Sequence, residues 1–292
     1  MRIIQRPLFH DLDYFVAYRF IKDKRKFDPK DIKNGYFQVV KSRCDEWFAD
    51  PFPFEFNGKI YIFAERMNKW KGKGTIAFCE ILRDGSHTGF NEVLDEPFHL
   101  SYPNIFECYN NIYLIPESGH NRDIRIYKAK SFPYVWELDN IILKGENFVD
   151  TSILSLENDL LQLVTFDWDN KKQIFFNYNV TSRKICLYPD NIKMLNERPG
   201  GNSINDIRVL QDCSRVYGER ILFRKMNSMN FVEGLGCDSY NGELTAKDIS
   251  CNNIMQYSRI HTFNRSQSLE VVDLLANRIN PLKQIIRLYH HI

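Results

Sequence analysis

Residues 49–65, "ADPFPFEFNGKIYIFAE", combine an alternating run, a turn dipeptide and a second apolar run that ends at an acid. Asn57 and Gly58 are the residue types that supply the positive φ angles of a tight hairpin turn. Strand-like alternation on both sides of such a pair predicts a β-hairpin. Two interpretations of Asp50 stay open, because an aspartate before Pro51 is common turn chemistry and is also a candidate carboxylate of a functional site.

This hairpin pattern recurs along the chain at intervals of roughly 50 residues. The second copy is "YPNIFECYNNIYLIPES" (102–118), the third is "VDTSILSLENDLLQLVTF" (149–166), and weaker copies begin near 199 and 257. Further strand candidates follow each of the first three hairpins, and several short strands per repeat of this length are typical of a propeller blade. The sequence therefore predicts an all-β, five-bladed β-propeller with a short C-terminal helix.

We expect the propeller to be a single domain over residues 1–279, with segment 1–45 supplying outer strands that close the ring. Residues 280–292, "NPLKQIIRLYHHI", predict a helical tail that begins at Pro281. Two roles of its apolar face stay open. Packing on the flank of the propeller is the commoner one, and peripheral contact with a membrane is the alternative.

Composition and sequence patterns indicate the class of partner and the compartment to expect. The 39 basic and 37 acidic residues leave a net charge of +2, which gives no reason to expect a nucleic-acid partner. The seven cysteines are odd in number and form no CxxC pair, which indicates reduced thiols. With neither a signal-peptide pattern nor an apolar run of ~18 residues, we expect a cytoplasmic protein, membrane-peripheral if the tail docks.

Several motifs between about residues 46 and 265 carry a family resemblance. In chain order they are "WFADPFPFE", "GFNEVLDEPFHLSYPNIFE", "YLIPESG", "FVDTSIL", "RPGGNSI", "QDCSRVYG" and "HTFN". Together they resemble the propeller domain at the N-terminus of plant glucosamine inositolphosphorylceramide transferases, a domain also found in bacterial surface-glycan loci. That family is distantly similar to five-bladed arabinanases and fructosidases. The resemblance is more specific for fold than for reaction, because the plant proteins are assigned sugar transfer in another domain.

In a propeller the first strands of all blades line the channel, so residues at their starts meet at one mouth. The residues at these positions are Asp50, Tyr102 and Asp150 in blades one to three, Arg198 and Asn202 in blade four, and His261 and Asn264 in blade five. Acids, cations and amides arranged in this way are what glycosyl chemistry needs, since carboxyl groups exchange protons and the other groups orient the sugar.

The expected catalytic residues are Asp50, Asp150 and Glu117. The resemblance implies that Asp50 in "ADPF" matches the catalytic base of the five-bladed hydrolases and that Asp150 matches the acid that holds the environment of the base. Their later-blade glutamate has no counterpart in "RPGGNSI". Glu117 in "IPESG" is the next candidate acid, although Glu117 and Glu65, at the parallel position in blade one, are equally interpretable as structural groups that bind the following turn.

Further candidates for substrate binding lie outside these strand starts. They are His99 at the entrance to blade two and, in the polar stretch 211–218, Gln211, Asp212, Arg215 and Tyr217. The polar stretch indicates either a network that joins blades or an Arg–Asp pair that holds a phosphate or uronate. For His99 and His261 a structural role and a functional role both stay open. Some propeller hydrolases hold calcium in the channel through histidine and water, but no metal-loop spacing occurs here, and we expect neither metal nor cofactor.

Three hypotheses of function remain. The first is a carbohydrate-active enzyme of surface polysaccharide or glycoconjugate biosynthesis that transfers a glycosyl group, with Asp50 as base and a carbohydrate or nucleotide sugar as substrate. The second is an inverting glycoside hydrolase that takes its acid from Glu117 or Asp150. The third is a non-catalytic glycan-binding propeller, because fold alone does not fix function.

Overall fold

The chain folds as a five-bladed β-propeller in which strands from both ends of the sequence share one blade. A computed structural model describes residues 9–21, 27–33, 35–188, 197–226, 239–253 and 255–291. The first two strands, β1 (His10–Phe20) and β2 (Gly35–Val39), belong to the fifth blade.

Blades one to four are four-stranded antiparallel sheets whose strands follow one another in chain order. Blade one contains β3 (Glu46–Phe56), β4 (Lys59–Asn68), β5 (Lys73–Ile81) and β6 (Asn91–Leu94). Blade two contains β7 (Ser101–Cys108), β8 (Asn111–Ser118), β9 (Asp123–Ser131) and β10 (Val135–Lys144). Blade three contains β11 (Phe148–Glu157), β12 (Leu160–Asp167), β13 (Lys172–Asn179) and β14 (Ile185–Leu187). Blade four contains β15 (Glu197–Pro199), β16 (Ile207–Asp212), β17 (Arg220–Lys225) and β18 (Ser239–Leu244).

The fifth blade closes the ring. Its remaining strands are β19 (Ile249–Cys251), β20 (Tyr257–Arg259), β21 (Phe263–Arg265) and β22 (Leu269–Ile279). Strand β22 pairs antiparallel with β1 along its whole length, from His10 opposite Ile279 to Phe20 opposite Leu269. Strands β20 and β21 pair with the other edge of β22, while β2 joins β1 to β19. Backbone hydrogen bonds between the two ends of the chain therefore hold the propeller closed.

Apolar side chains fill the spaces between neighbouring blades. Phe52 of blade one packs with Tyr102 and Leu114 of blade two, and Phe106 of blade two packs in a cluster with Leu161 of blade three. Similar clusters join blades three and four, four and five, and five and one. Because each blade buries its faces against its neighbours, the free energy gained from apolar burial, about 25 cal/mol per Å², requires the whole ring.

The tail forms helix α1 (Lys283–Tyr289), which follows Pro281 as the sequence predicts. Ile286 is buried, whereas Ile285 and Leu288 are 55% and 65% exposed. The Tyr289 ring lies 5.6 Å from that of Trp70, in the turn between β4 and β5. The helix therefore packs on blade one with part of its apolar face uncovered. Within the described ranges, no helix has the length and apolar character of a membrane span.

Candidate functional site

The first strands of blades one to three carry the same backbone irregularity near their starts. The φ angles of Asp50, Tyr102 and Asp150 are +50°, +46° and +53°. At each position the pairing with the second strand of the blade shifts. A left-handed φ is uncommon outside glycine, and a bulge of this kind changes the direction of a side chain. The three residues are therefore structurally equivalent, as the repeat predicts, although only the two aspartates reach the cavity described next.

A cavity of about 380 Å³ lies where these strands begin, and residues of all five blades line it. This volume is in the range of small-molecule sites. The sequence-predicted residues in its wall are Asp50, Glu117, Asp150, His99, Arg198, Tyr217 and His261. The structure thus brings together the three expected catalytic acids and four of the expected binding residues.

Asp50 contacts a histidine and a second aspartate from the fifth blade. His261 Nε2 lies 3.2 Å from Asp50 Oδ1, and His261 Nδ1 lies 2.7 Å from Asp273 Oδ2. All three residues are buried. Burial raises the pKa of Asp50 although His261 opposes the rise. Burial alone would lower the pKa of His261, but Asp273 and Asp50 outweigh it and raise that pKa to about 9.

Asp150 is held by groups from blade four. Arg198 Nε lies 3.0 Å from Asp150 Oδ2, and the Gln211 amide donates to the same oxygen at 3.2 Å. The guanidinium of Arg198 lies between two aromatic rings, 5.2 Å from the centroid of Trp168 and 4.9 Å from that of Tyr217. Burial raises the pKa of Asp150, while Arg198 is the main group that opposes the rise.

Two glutamates occupy equivalent positions in neighbouring blades but have different partners. Glu65 is opposite the residue before Asp50, and Glu117 is opposite the residue before Tyr102. Glu65 Oε1 lies 3.1 Å from His99 Nε2. Glu117 instead accepts the backbone N–H of Asp150 at 3.0 Å. Burial, followed by the charge of Asp150, raises the pKa of Glu117 to about 7.

Six predicted binding residues lie outside the cavity wall, because their polar groups are used within the fold. They are Tyr102, Asn202, Gln211, Asp212, Arg215 and Asn264. Gln211 donates a hydrogen bond to Asp150. The buried Tyr102 hydroxyl lies 2.6 Å from Ser152 Oγ in blade three. Asn202 exchanges hydrogen bonds with Asn104 of blade two, and its backbone N–H donates to Asn264.

The expected pair between Arg215 and Asp212 does not form in the described part of the chain. Asp212 is 2.9 Å from Arg220, and the exposed Arg215 pairs with Glu219. Asp212 and Arg220 lie directly opposite each other in the β16–β17 pairing, so the register of the hairpin selects Arg220 although Arg215 is nearer in sequence. The polar stretch 211–218 therefore fits the network interpretation, apart from Tyr217, which reaches the cavity.

Among the residues of the site that sequence reasoning missed are three aromatic residues and one acid. Trp47, Trp168 and Tyr14 line the cavity, and Asp273 lies directly behind His261. A signal for Asp273 was present, because an acid inside the apolar run "LEVVDLLA" is seldom buried without a partner. The three aromatic residues gave none, since most aromatic side chains in such a chain pack in cores.

Asp50, His261 and Asp273 are the residue types of a metal site, and their ligand atoms lie within 4.8 Å of one another. A histidine ligand must offer a nitrogen lone pair, yet both nitrogens of His261 face carboxylate oxygens. Asp273 also accepts the backbone N–H groups of Asp50 and His261. These donor atoms are already used by one another, so the group does not fit the channel calcium of some propeller hydrolases.

Comparison with known families agrees with the fold and the motifs. The family model described as "Glucosamine inositolphosphorylceramide transferase 1, N-terminal" matches residues 38–234. The chain belongs to this family. It is 26% identical over 202 residues to glucosamine inositolphosphorylceramide transferase 1 of Oryza sativa subsp. indica, a match that covers 63% of this chain and 27% of the relative. The Arabidopsis thaliana protein of the same name is 27% identical over 204 residues, covering 64% and 26%. The chain thus spans about a quarter of the length of these curated relatives.

Solved structures with the same fold include glycoside hydrolases. The catalytic domain of the GH62 α-L-arabinofuranosidase of Coprinopsis cinerea superposes with a TM-score of 0.56 at 12% identity, covering 79% of this chain and 90% of that one. The GH43_1 enzyme of Xanthomonas citri, complexed with xylose, has a TM-score of 0.53 at 11% identity, covering 80% and 86%. At these identities the likeness shows the fold alone. The predicted family and five-bladed architecture are confirmed.

Proposed function

We propose that this chain is a carbohydrate-active enzyme that transfers a glycosyl group in the propeller cavity, with Asp50 as general base and Glu117 as general acid. One observation carries the assignment. Ion pairs join Asp50 to His261, Glu65 to His99 and Asp150 to Arg198. Among the described residues, Glu117 is the cavity carboxyl without such a partner.

The lack of a cationic partner gives Glu117 the properties of a proton donor. With a pKa near 7, it is substantially protonated at neutral pH, where an ordinary glutamic acid is ionised. General acids work best when their pKa lies near the operating pH.

Burial raises the pKa of Asp50 as well, but Asp50 differs from Glu117 in having a cationic partner. The imidazole of His261 faces one of its oxygens and favours the ionised form, while burial makes the carboxylate more basic than in water. In the proposed step an acceptor hydroxyl gives its proton to Asp50 as its oxygen bonds to the anomeric carbon. The bond to the leaving oxygen breaks, and that oxygen takes the proton of Glu117. Asp150, held by Arg198, lies near the positive charge that develops on the sugar.

The cavity wall supports a sugar, or a sugar attached to a phosphate leaving group, as the ligand. The indole of Trp168 is 42% exposed beside Arg198, and aromatic faces beside polar groups suit sugar rings. Arg198 is the cation that would face a phosphate oxygen. The plant relatives carry the name glucosamine inositolphosphorylceramide transferase 1. For this chain we propose a nucleotide sugar or glycan as substrate and a role in polysaccharide or glycoconjugate biosynthesis, in the cytoplasm.

Hydrolysis is the second candidate, and the pairing of Asp50 with a protonated acid favours it equally, because water can replace the acceptor hydroxyl in the same step. The departure at blade four counts against hydrolysis by the mechanism of the five-bladed hydrolases. Arg198 stands at the head of that blade, where the resemblance implies a glutamic acid, and Arg198 cannot donate a proton at neutral pH.

The test is turnover of a panel of nucleotide sugars and short oligosaccharides, followed by mass spectrometry, for the wild type and Asp50→Asn. The control variant is Lys59→Gln, at the exposed start of β4 and outside the cavity wall. Nucleotide release with a lengthened glycan, lost in Asp50→Asn, supports transfer. Free sugar without lengthening supports hydrolysis. Binding without turnover in every variant contradicts both and leaves a glycan-binding propeller.

Peripheral membrane contact by α1 stays a prediction. The exposed side chains of Ile285 and Leu288 support it, and a short apolar face of this kind would give weak, reversible binding. Sedimentation with anionic phospholipid vesicles should recover the wild type and lose most of Leu288→Glu. Equal recovery of both proteins would contradict the prediction.

A further inference from the structure

We propose that the protonated ring of His261 is the fixed cation of the propeller channel, held between Asp50 and Asp273 in place of a metal ion. The inference rests on the proposed function only where it gives this cation a role toward Asp50 as base. The charge of the His261 ring is inferred from its contacts, and it is tested without any measurement of activity.

The hydrogen-bonding partners of Asp273 fix the first ring proton. Asp273 accepts the backbone N–H groups of Asp50, His261 and Thr262 at 2.9, 3.1 and 3.0 Å, and the Thr262 hydroxyl at 2.7 Å. A carboxyl group that accepts so many donors is ionised, and its pKa is lowered by His261 and Thr262 despite the opposing effect of burial. The Nδ1 atom facing it at 2.7 Å therefore carries a hydrogen.

The other ring nitrogen, His261 Nε2, faces Asp50 Oδ1 at 3.2 Å, and this contact decides the second ring proton. An ionised Asp50 only accepts hydrogen bonds, so Nε2 must then be a donor, and a histidine that donates from both nitrogens is an imidazolium. Asp50 also accepts the backbone N–H of Tyr102 at 3.3 Å through its other oxygen, which favours ionisation. The positive charge of His261 and the negative charge of Asp50 therefore stabilise each other within this buried cluster.

Other groups around the ring do not reverse this balance. The rings of Tyr14 and Tyr217 lie 4.6 and 5.2 Å from the imidazole. Burial raises the pKa of both phenols, so they are neutral. Arg198 repels the imidazolium, and Asp150 attracts it. Two carboxylates in direct contact therefore outweigh one more distant arginine.

An imidazolium differs from a metal ion in ways that matter to the site. It has no open coordination position, so it orients Asp50 without binding substrate itself. Asp273 meanwhile holds the backbone N–H of Asp50 at the left-handed position. Asp273 and His261 act through Asp50, and we assign them as positioning residues rather than catalytic ones.

The test is ¹⁵N NMR of the histidine rings in the full chain, from pH 5.5 to 9, with free imidazole as an internal reference. The His261 signals are assigned from a His261→Gln spectrum, or by elimination from variants of the other six histidines if that protein does not fold. We expect both His261 nitrogens at imidazolium positions at pH 7.5, with no titration step near the reference value of about 6.5. A neutral tautomer at pH 7.5 would overturn the proposal.

A calcium titration is a second test of the proposal, independent of the protonation state read by NMR. Calcium chloride is added to EDTA-treated wild-type protein, and heat of binding and melting temperature are followed. We expect no saturable binding that perturbs the His261 signals. Calcium that shifts those signals would make His261 a ligand and refute the fixed-cation assignment. If His261 proves to be an imidazolium while the substrate panel gives no turnover, the proposed reaction fails and this inference stands.

Discussion

Replacement of Glu117 by glutamine should stabilise the protein at alkaline pH but not at acidic pH. Glu117 is a carboxyl without a cationic partner, and its pKa rises from 4.5 to about 7 on folding. An acid whose pKa is higher in the folded state binds protons there more tightly, so the free energy of unfolding falls as pH rises from 4.5 to 7 and then levels off. Glutamine has the same shape and no such cost.

The size of the effect follows from the shift. A difference between 4.5 and about 7 corresponds to about 3 kcal/mol at full ionisation, at 1.36 kcal/mol per pKa unit. The amide oxygen of glutamine can still accept the Asp150 N–H, but a neutral acceptor is weaker by roughly 1 kcal/mol. We therefore expect Glu117→Gln to gain about 1–3 kcal/mol at pH 8, or a few degrees in melting temperature, and about nothing at pH 5.

Thermal unfolding of wild type and variant at pH 5 and pH 8 measures the effect. Glu65→Gln is the matched control, because Glu65 has the equivalent position in blade one but pairs with His99 at 3.1 Å. That variant should lose stability at both pH values. A Glu117→Gln protein no more stable than wild type at pH 8 would show that Glu117 ionises without cost, and the assignment of Glu117 as proton donor would then be wrong.

Three further substitutions separate binding from folding. Gly74→Ala places a methyl group 2.5 Å from the Leu100 carbonyl oxygen, and calorimetry should show a loss of at least about 2 kcal/mol; an unchanged melting temperature would contradict the packing described. Trp168→Ala removes an exposed ring of the cavity and should weaken sugar binding about tenfold, measured by titration calorimetry. Unchanged affinity would show that the sugar does not bind against Trp168. Tyr102→Phe leaves the buried Ser152 hydroxyl without its 2.6 Å partner and should lower the free energy of unfolding by about 1–2 kcal/mol. A loss of sugar affinity at equal stability would instead show that Tyr102 contributes to sugar binding.

The fold was predictable because its signals are local and repeated. Asn57-Gly58 fixes one hairpin, and copies of that hairpin recur at regular spacing, so blade number and the equivalence of Asp50, Tyr102 and Asp150 follow from counting. Equivalence does not decide what each side chain contacts. Tyr102 has the same backbone angle as the aspartates, yet its ring packs 4.9 Å from Phe52 in the core.

The rest of the site depends on contacts between distant parts of the chain. The partner of His261 lies on β22, and the partner of Asp50 comes from a different blade. Repeat alignment places strand starts at the channel, but it does not say which polar groups satisfy one another there. Asn202 and Asn264 illustrate this, because the repeat places both near strand starts at the channel, yet both are used to join blades.

The pairing of β1 with β22 also has a consequence during synthesis. Strand β1 ends at residue 20, but its partner begins only at residue 269. At ribosomal rates of 5–20 residues per second, the first strand waits on the order of ten seconds or longer. His261 and Asp273 emerge in the same late interval as β22. A nascent or prematurely terminated chain can therefore hold Asp50 without the residues that orient it, and the arrangement we propose as the active centre is assembled only when the ring closes.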